Sequence, residues 1–367
     1  MRVFVAAEHD DVLASPYESE LIMNGWRKHA PHDDIAALPV PSSAHHMRET
    51  WAELKDNPMT APLLHDTTLV AYEPHENGST QWIAAFADTF TQALKTGVSR
   101  IFLSLPRYAT PDMGKDFLRR MQETHEDESI SRVHTPEEYV HSVNALAERI
   151  RAIDVVVLHD DSLPLLGMHG MSAMASLEGH RDATTAQEEE AEVSSFHYRV
   201  RQYVSMSENN LAETSPVHTS AHTHSIHRLQ VRNSAMNAHD VKDLARHDAA
   251  GLGGGVGFAL LAAGARALPA AQAFSAVCDF SQHIAEADLV VVFQHTLDGR
   301  TFARSIGGVL IPYAQKHALP VVALTYEQVM STRELAAAGI SSTYVVHDSG
   351  TLEETTQRIA RSWSLTR

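Results

Sequence analysis

Short apolar runs alternate with stretches of helical period along nearly all of this 367-residue chain. The opening run RVFVAA reads as a strand, and the segment behind it sets Tyr17, Leu21, Ile22 and Trp26 at helical spacing. DDIAALPV, TTLVAYE, RIFLSL, DVVVLH, LVVVFQ, PVVALTY and STYVVHD supply further strand-like runs. Between them fall helical patterns such as SSAHHMRETWAELK, WIAAFADTFTQALKTG, EEYVHSVNALAERIRA and TLEETTQRIARSW. Nearly continuous Val, Leu and Ile, as in DVVVLH, suits strands covered on both faces of a parallel sheet. Regular alternation of the two patterns predicts an α/β class.

Neither end of the chain carries enough strands for a full doubly wound sheet alone. The pattern therefore predicts two α/β domains. Residues 1–76 and 287–367 form one parallel-sheet domain from both chain ends, and residues 77–286 form a second α/β domain inserted in the middle. SENNLAETSPVHTSAHTHSIHRLQVRNSAMN is polar and aperiodic, which reads as a surface excursion or flexible insert.

One stretch interrupts the alternation. Five glycines fall between Gly251 and Gly257, directly ahead of the Ala-rich apolar run from Phe258 to Ala265. A glycine loop feeding a buried helix presents free N–H groups and the positive end of a helix dipole, which favours a phosphate or carboxylate. Close helix packing explains such a cluster equally well, and both readings stay open. The spacing GxGGGxG, with no strand ahead of it, is not a dinucleotide fingerprint, and no GxxxxGK[ST] loop occurs.

A net charge of −17 argues against nucleic acid or an anionic membrane as partner. No apolar run is long enough to span a bilayer, so the expectation is a soluble, cytoplasmic protein. Cys278 is the single cysteine, sits between apolar residues and reads as core. Six lysines are few for clamping a triphosphate, although twenty-three arginines can substitute in part. Of twenty-four histidines, the densest group is His218, His222, His224 and His227. His222 and His224 would share one side of a strand, a divalent-metal arrangement, and a polar connection in a His-rich chain is the plain alternative.

The stretch from Asp248 to Thr325 resembles the glycerate kinase family, whose members carry a GAGAAGGLG loop, a helix, DLVITGEGRIDGQT, a further helix and a PVIAL strand. Gly251, Gly254, Gly255 and Gly257 fall on the loop, and Asp288, Leu289, Asp298, Gly299 and Thr301 fall on the second motif. The similarity extends over essentially the whole chain. Ala109, Thr110, Asp112 and Gly114 match the family's GGSATNDGGAG segment, and Pro164, Leu165, Leu166, Gly167 and Gly170 match its NPLLGPNGA. The resemblance implies a flavodoxin-like domain built from both chain ends and a second α/β domain between them. It also implies ATP, Mg²⁺ and glycerate as ligands. Carried over residue by residue, it implies Asp112 and Asp298 as catalytic carboxylates. Gly253, Gly254, Gly255, Gly257, Thr110 and Arg181 become contacts for the nucleotide.

The chain departs from that family at charged positions. Gln294 stands where GEG has its glutamate, Asp11 where the first motif has lysine, residues 42–46 where the family has ADGGEG, and Pro106 and Arg107 where it has glycines. Phosphoryl transfer needs a cationic clamp and a carboxylate-held metal. The sequence therefore predicts a glycerate-kinase-like protein in which a non-catalytic or repurposed ligand-binding role stands ahead of normal catalysis. Its expected partner is a small-molecule anion or nucleotide, and a homo-oligomer stays open. An active kinase with a rebuilt site is the first alternative. Metal binding through His218, His222 and His224 is the second.

Overall fold

The structure, a computed structural model, describes residues 1–9, 18–41, 47–56, 60–72, 81–122, 133–213 and 238–364. The chain opens with β1 (Arg2–His9), α1 (Glu18–His29), β2 (Asp34–Pro41) and α2 (Met47–Asp56). The middle runs β3 (Thr67–Ala71), α3 (Gln81–Ala93), β4 (Arg100–Ser104), α4 (Lys115–Gln122), α5 (Pro136–Ile150), β5 (Asp154–His159) and α6 (Met171–Leu177). It continues with α7 (Ala183–Glu213), α8 (Ala238–Leu244), α9 (Leu252–Ala262) and β6 (Arg266–Pro269). The return comprises α10 (Ala270–Val277), α11 (Phe280–Glu286), β7 (Leu289–Leu297), α12 (Ile306–Lys316), β8 (Val321–Gln328), α13 (Thr332–Ala338), β9 (Ser342–Val345) and α14 (Ser349–Trp363).

Both chain ends share one five-stranded sheet, ordered β2-β1-β7-β8-β9, with every neighbouring pair parallel. This is the flavodoxin-like order. Connections run from β1 outward to β2 on one side and from β7 outward through β8 to β9 on the other, so the direction reverses between β1 and β7. Inward-facing Val3, Val5, Leu289, Val291, Phe293, Val322 and Leu324 pack against Ile22 and Trp26 of α1 and Leu352 and Ile359 of α14. The Trp26 indole N–H donates to buried Asp33 at 3.0 Å, so burying the ring leaves no orphan donor.

The middle carries its own four-stranded sheet, β3-β4-β5-β6, with β3, β4 and β5 parallel. Phe86, Phe90 and Phe117 stack beneath it, and Tyr139 fills the core with its hydroxyl donated to the Met113 carbonyl at 2.9 Å. The chain divides into Met1–His65 with Leu268–Arg367, and Asp66–Ala267. Both junctions lie earlier than residues 76 and 287. Thr67–Ala71 pairs with β4, which draws the third strand into the middle sheet, and α10 and α11 belong with the returning segment.

Two local differences have identifiable causes. The stretch AAQAFSAVCDFSQHIAEAD reads as one helical segment in the sequence and is two helices in the structure, because Asp279 adopts a left-handed φ of 48° and its carboxylate caps α11 by accepting from Gln282 N. The strand read as PVVALTY extends through Gln328, and the helix read from EQVMSTRELAAAG begins only at Thr332, behind the Ser331–Glu334 capping box. Among the described residues no helix is long and apolar enough to cross a membrane.

Candidate functional site

The glycine stretch belongs to the middle unit. Gly253, Gly254 and Gly255 take φ of 62°, 69° and 100°, a region that side chains with a Cβ rarely enter. All are buried. A Cβ on Gly254 would fall on the Thr110 carbonyl oxygen, one on Gly255 would come within 2.6 Å of Met113 Cα, and one on Gly257 would meet the Ala249 carbonyl. The Gly253 N–H donates to the Pro106 carbonyl at 2.8 Å, and the Gly254 carbonyl accepts from Asp112 N and Met113 N at 3.1 and 3.0 Å. On the other flank Gly251 N donates to the Leu163 carbonyl at 2.8 Å. The glycines thus let the loops after β4 and β5 close on α9 backbone to backbone. Of the two readings the sequence left open, close packing accounts for these positions.

Asp112 closes the loop after β4. Its two oxygens accept from Gly114 N and Asp116 N, both at 2.8 Å, so the carboxylate caps the start of α4. Burial lifts its pKa to about 6, against the pull of those two backbone N–H groups. Thr110 is exposed, and its carbonyl rather than its hydroxyl lies against Gly254. Arg181 reaches Glu189 at 3.4 Å and the His180 carbonyl at 3.1 Å, which ties it to the start of α7.

The sequence marks Arg107 as a departure and Asp160 and Asp161 as strand-end carboxylates, but it does not pair Arg107 with Asp161 and gives no sign of Glu178 or Tyr108. Its Nη1 pairs with Asp161, its Nη2 with Glu178 at 3.0 Å, and its Nε donates to the Tyr108 hydroxyl at 2.9 Å. Burial works against the charge, yet Glu178, Asp161 and Tyr108 outweigh it and hold the guanidinium firmly protonated. Glu178 is held below the usual carboxylate range, its partial burial being outweighed by Arg107 and Tyr108.

In the terminal unit, β1 and β7 end side by side where the sheet reverses direction. Glu8 accepts from His295 N at 3.0 Å and from Gln294 Nε2 at 3.3 Å. The His295 ring stands between two carboxylates, with Nδ1 3.6 Å from Glu8 and Nε2 3.8 Å from Glu18, the first residue of α1. Burial pulls the imidazole pKa down, but Glu18 and Glu8 overcome it and the value is pushed up to about 9. Tyr326 packs its ring 5.5 Å from that of His295, and its buried hydroxyl has no hydrogen-bond partner among the described residues. Glu8, Glu18 and Tyr326 carry no sequence signal of their own, because three different elements bring them to one histidine.

Asp298 follows β7 in a turn. It accepts from Arg300 N at 3.0 Å and from the Arg300 guanidinium at 3.0 and 3.2 Å, which holds it below its ordinary pKa. His218, His222 and His224, together with Asp11 and residues 42–46, lie outside the described residues. Among the described residues no group of three His, Cys, Asp or Glu side chains stands in a metal-holding arrangement. Cys278 is buried, as expected, and burial pushes its thiol up to about 12.

No curated protein matches the sequence. A solved structure from Salmonella typhimurium LT2, provisionally named glycerate kinase 2, superposes with a TM-score of 0.63 at 16% identity, covering 99% of this chain and 98% of its own. That likeness carries the fold. The model of the glycerate kinase family matches residues 86–365, most of the chain. The protein belongs to the glycerate kinase family.

Proposed function

We propose that this member of the family binds a small anion and does not transfer phosphate from ATP to glycerate at an appreciable rate. The observation that carries the reading is the internal neutralisation of the cations at the strand ends. Arg107 is held by Asp161 and Glu178, and His295 by Glu8 and Glu18. Each cation therefore faces two carboxylates, a local balance of about −1 whose repulsion grows with ligand charge, so it falls much harder on a polyphosphate than on a singly charged anion.

A bound ATP–Mg²⁺ would supply the transferable phosphoryl group and a metal to neutralise it, and that chemistry needs carboxylates free to ligate. The two aspartates that best match family motifs are engaged elsewhere: Asp112 by the N–H groups of α4 and Asp298 by Arg300. These side chains do not fit the group, and no transfer step is derived through it. Removing one well-placed electrostatic contact costs about a hundredfold to a thousandfold in rate, so losing several leaves little catalysis.

A thermal-shift screen of the full-length protein with D-glycerate, inorganic phosphate and ATP–Mg²⁺, paired with measurement of ADP, tests the reading. Binding to the native state raises the melting temperature by mass action. The expected result is a shift with a small oxyanion and no glycerate-dependent ADP. Glycerate-dependent ADP release would replace this reading with that of a rebuilt kinase.

A further inference from the structure

The loop after β4 presents Arg107 and Tyr108, the loop after β5 presents Asp161, and Glu178 stands at the carboxyl end of α6. These side chains converge although the chain separates them widely. The Arg107 guanidinium carbon lies 5.1 Å from the centre of the Tyr108 ring, and His180 packs on that ring at 4.7 Å. Every nitrogen of the guanidinium faces an oxygen: Asp161, Glu178 or Tyr108. A planar, permanently charged fork so filled is a receptor for two oxygens in one plane, the geometry of a carboxylate or phosphate.

Of the two carboxylates on the guanidinium, Glu178 is the one that stands at a helix terminus. It caps the carboxyl end of α6, where the helix dipole opposes a negative charge. Its side chain is 37% exposed, beside 40% for Asp161 and 21% for Arg107. The next residue, Gly179, takes φ of 80° and turns the chain out of the helix, its N–H donating to the Ser176 carbonyl at 3.1 Å.

We propose that Arg107 anchors an oxyanion site in the middle unit, held closed by Glu178, and that a small carboxylate or phosphate opens it by taking the place of Glu178 on the guanidinium. The proposal rests on the small-anion reading above and deepens it. The exchange trades one oxyanion for another, so the partly buried guanidinium is never left without a counter-charge. The tethered carboxylate competes at an effective concentration on the order of millimolar, which keeps the resting affinity weak.

The test titrates full-length wild type, Glu178→Gln and Glu178→Gln/Arg107→Gln with inorganic phosphate and, separately, with D-lactate. Ionic strength is held constant, and chloride serves as the control. Glutamine keeps the length of the side chain and removes its charge. Glu178→Gln is expected to bind phosphate, D-lactate or both about two- to fivefold more tightly than wild type, the worth of one partly exposed ion pair. The double variant is expected to lose the gain. The anion with the larger gain identifies the ligand as a phosphate or a carboxylate.

If Glu178→Gln binds neither anion more tightly and melts lower, the Arg107–Glu178 pair is a structural strut and the proposal falls. An equal gain with chloride overturns it too. Should Glu178→Gln fail to fold, the same gain is required of Asp161→Asn, which frees the other side of the fork. No ATP is present in these titrations. ADP formation by the wild type would overturn the non-transfer reading and leave the latch standing, while a failed titration would leave that reading intact.

Discussion

His295 shows how a single side chain can change what a strand end is able to do. Among the described residues the titratable groups facing it are Glu8 from β1, Glu18 from α1 and Tyr326 from β8, with Asp348 acting on Tyr326 from the start of α14. Its pKa of about 9 lies above the ordinary value of about 6.5. The stabilisation is therefore complete below about pH 6.5 and is lost as pH rises through about 9. After allowance for screening it is on the order of 2 kcal/mol. Wild type is expected to lose melting temperature between pH 7 and pH 9.5 relative to its own value, while His295→Gln stays flatter. Parallel pH profiles for the two proteins would remove the ion-pair account. A histidine in FQHTL was visible in the sequence, but its two glutamates were not, since register alone could not place α1 over the end of β7.

Gly254 belongs to the same scale. Its φ of 69° and the Thr110 carbonyl beside it leave no room for a methyl group. Gly254→Ala is expected to cost about 3 kcal/mol in denaturant unfolding, from overpacking plus backbone strain. An alanine variant as stable as wild type would show that the loop relaxes and is not the packing hinge described above.

Elements were legible where the period was strong and hidden where a single residue decided the boundary. The apolar runs of β1, β4, β5, β7 and β8 could be read directly, as could the long amphipathic helices α5 and α14. β6, four residues ending in proline, gave no such signal. The break between α10 and α11 depends on one left-handed aspartate in an otherwise helical pattern. α4 was also missed, because its start is specified by Asp112 through side-chain bonds to Gly114 N and Asp116 N rather than by apolar spacing. Asp112→Ala is expected to lose about 1–2 kcal/mol in thermal or denaturant unfolding, and Asp112→Asn less, because its amide oxygen still accepts. Undiminished stability in Asp112→Ala would remove the capping role.

For the whole molecule, the alternation of strand and helix patterns was enough to read two α/β sheets, one assembled from both chain ends. The family resemblance gave that assembly its flavodoxin-like order before any pairing was seen. Charge chemistry was less legible, because an arginine in sequence does not reveal whether it faces ligand or carboxylate. Arg107 faces Asp161 and Glu178, and Asp298 faces Arg300. On the reading proposed above, these internal pairs leave the family scaffold without phosphoryl transfer. ADP release by the full-length protein, measured with ATP, Mg²⁺ and D-glycerate, tests it most directly. The expected rate equals the glycerate-free background. Glycerate-dependent turnover on the order of one per second or faster, abolished by Asp298→Ala, would contradict it.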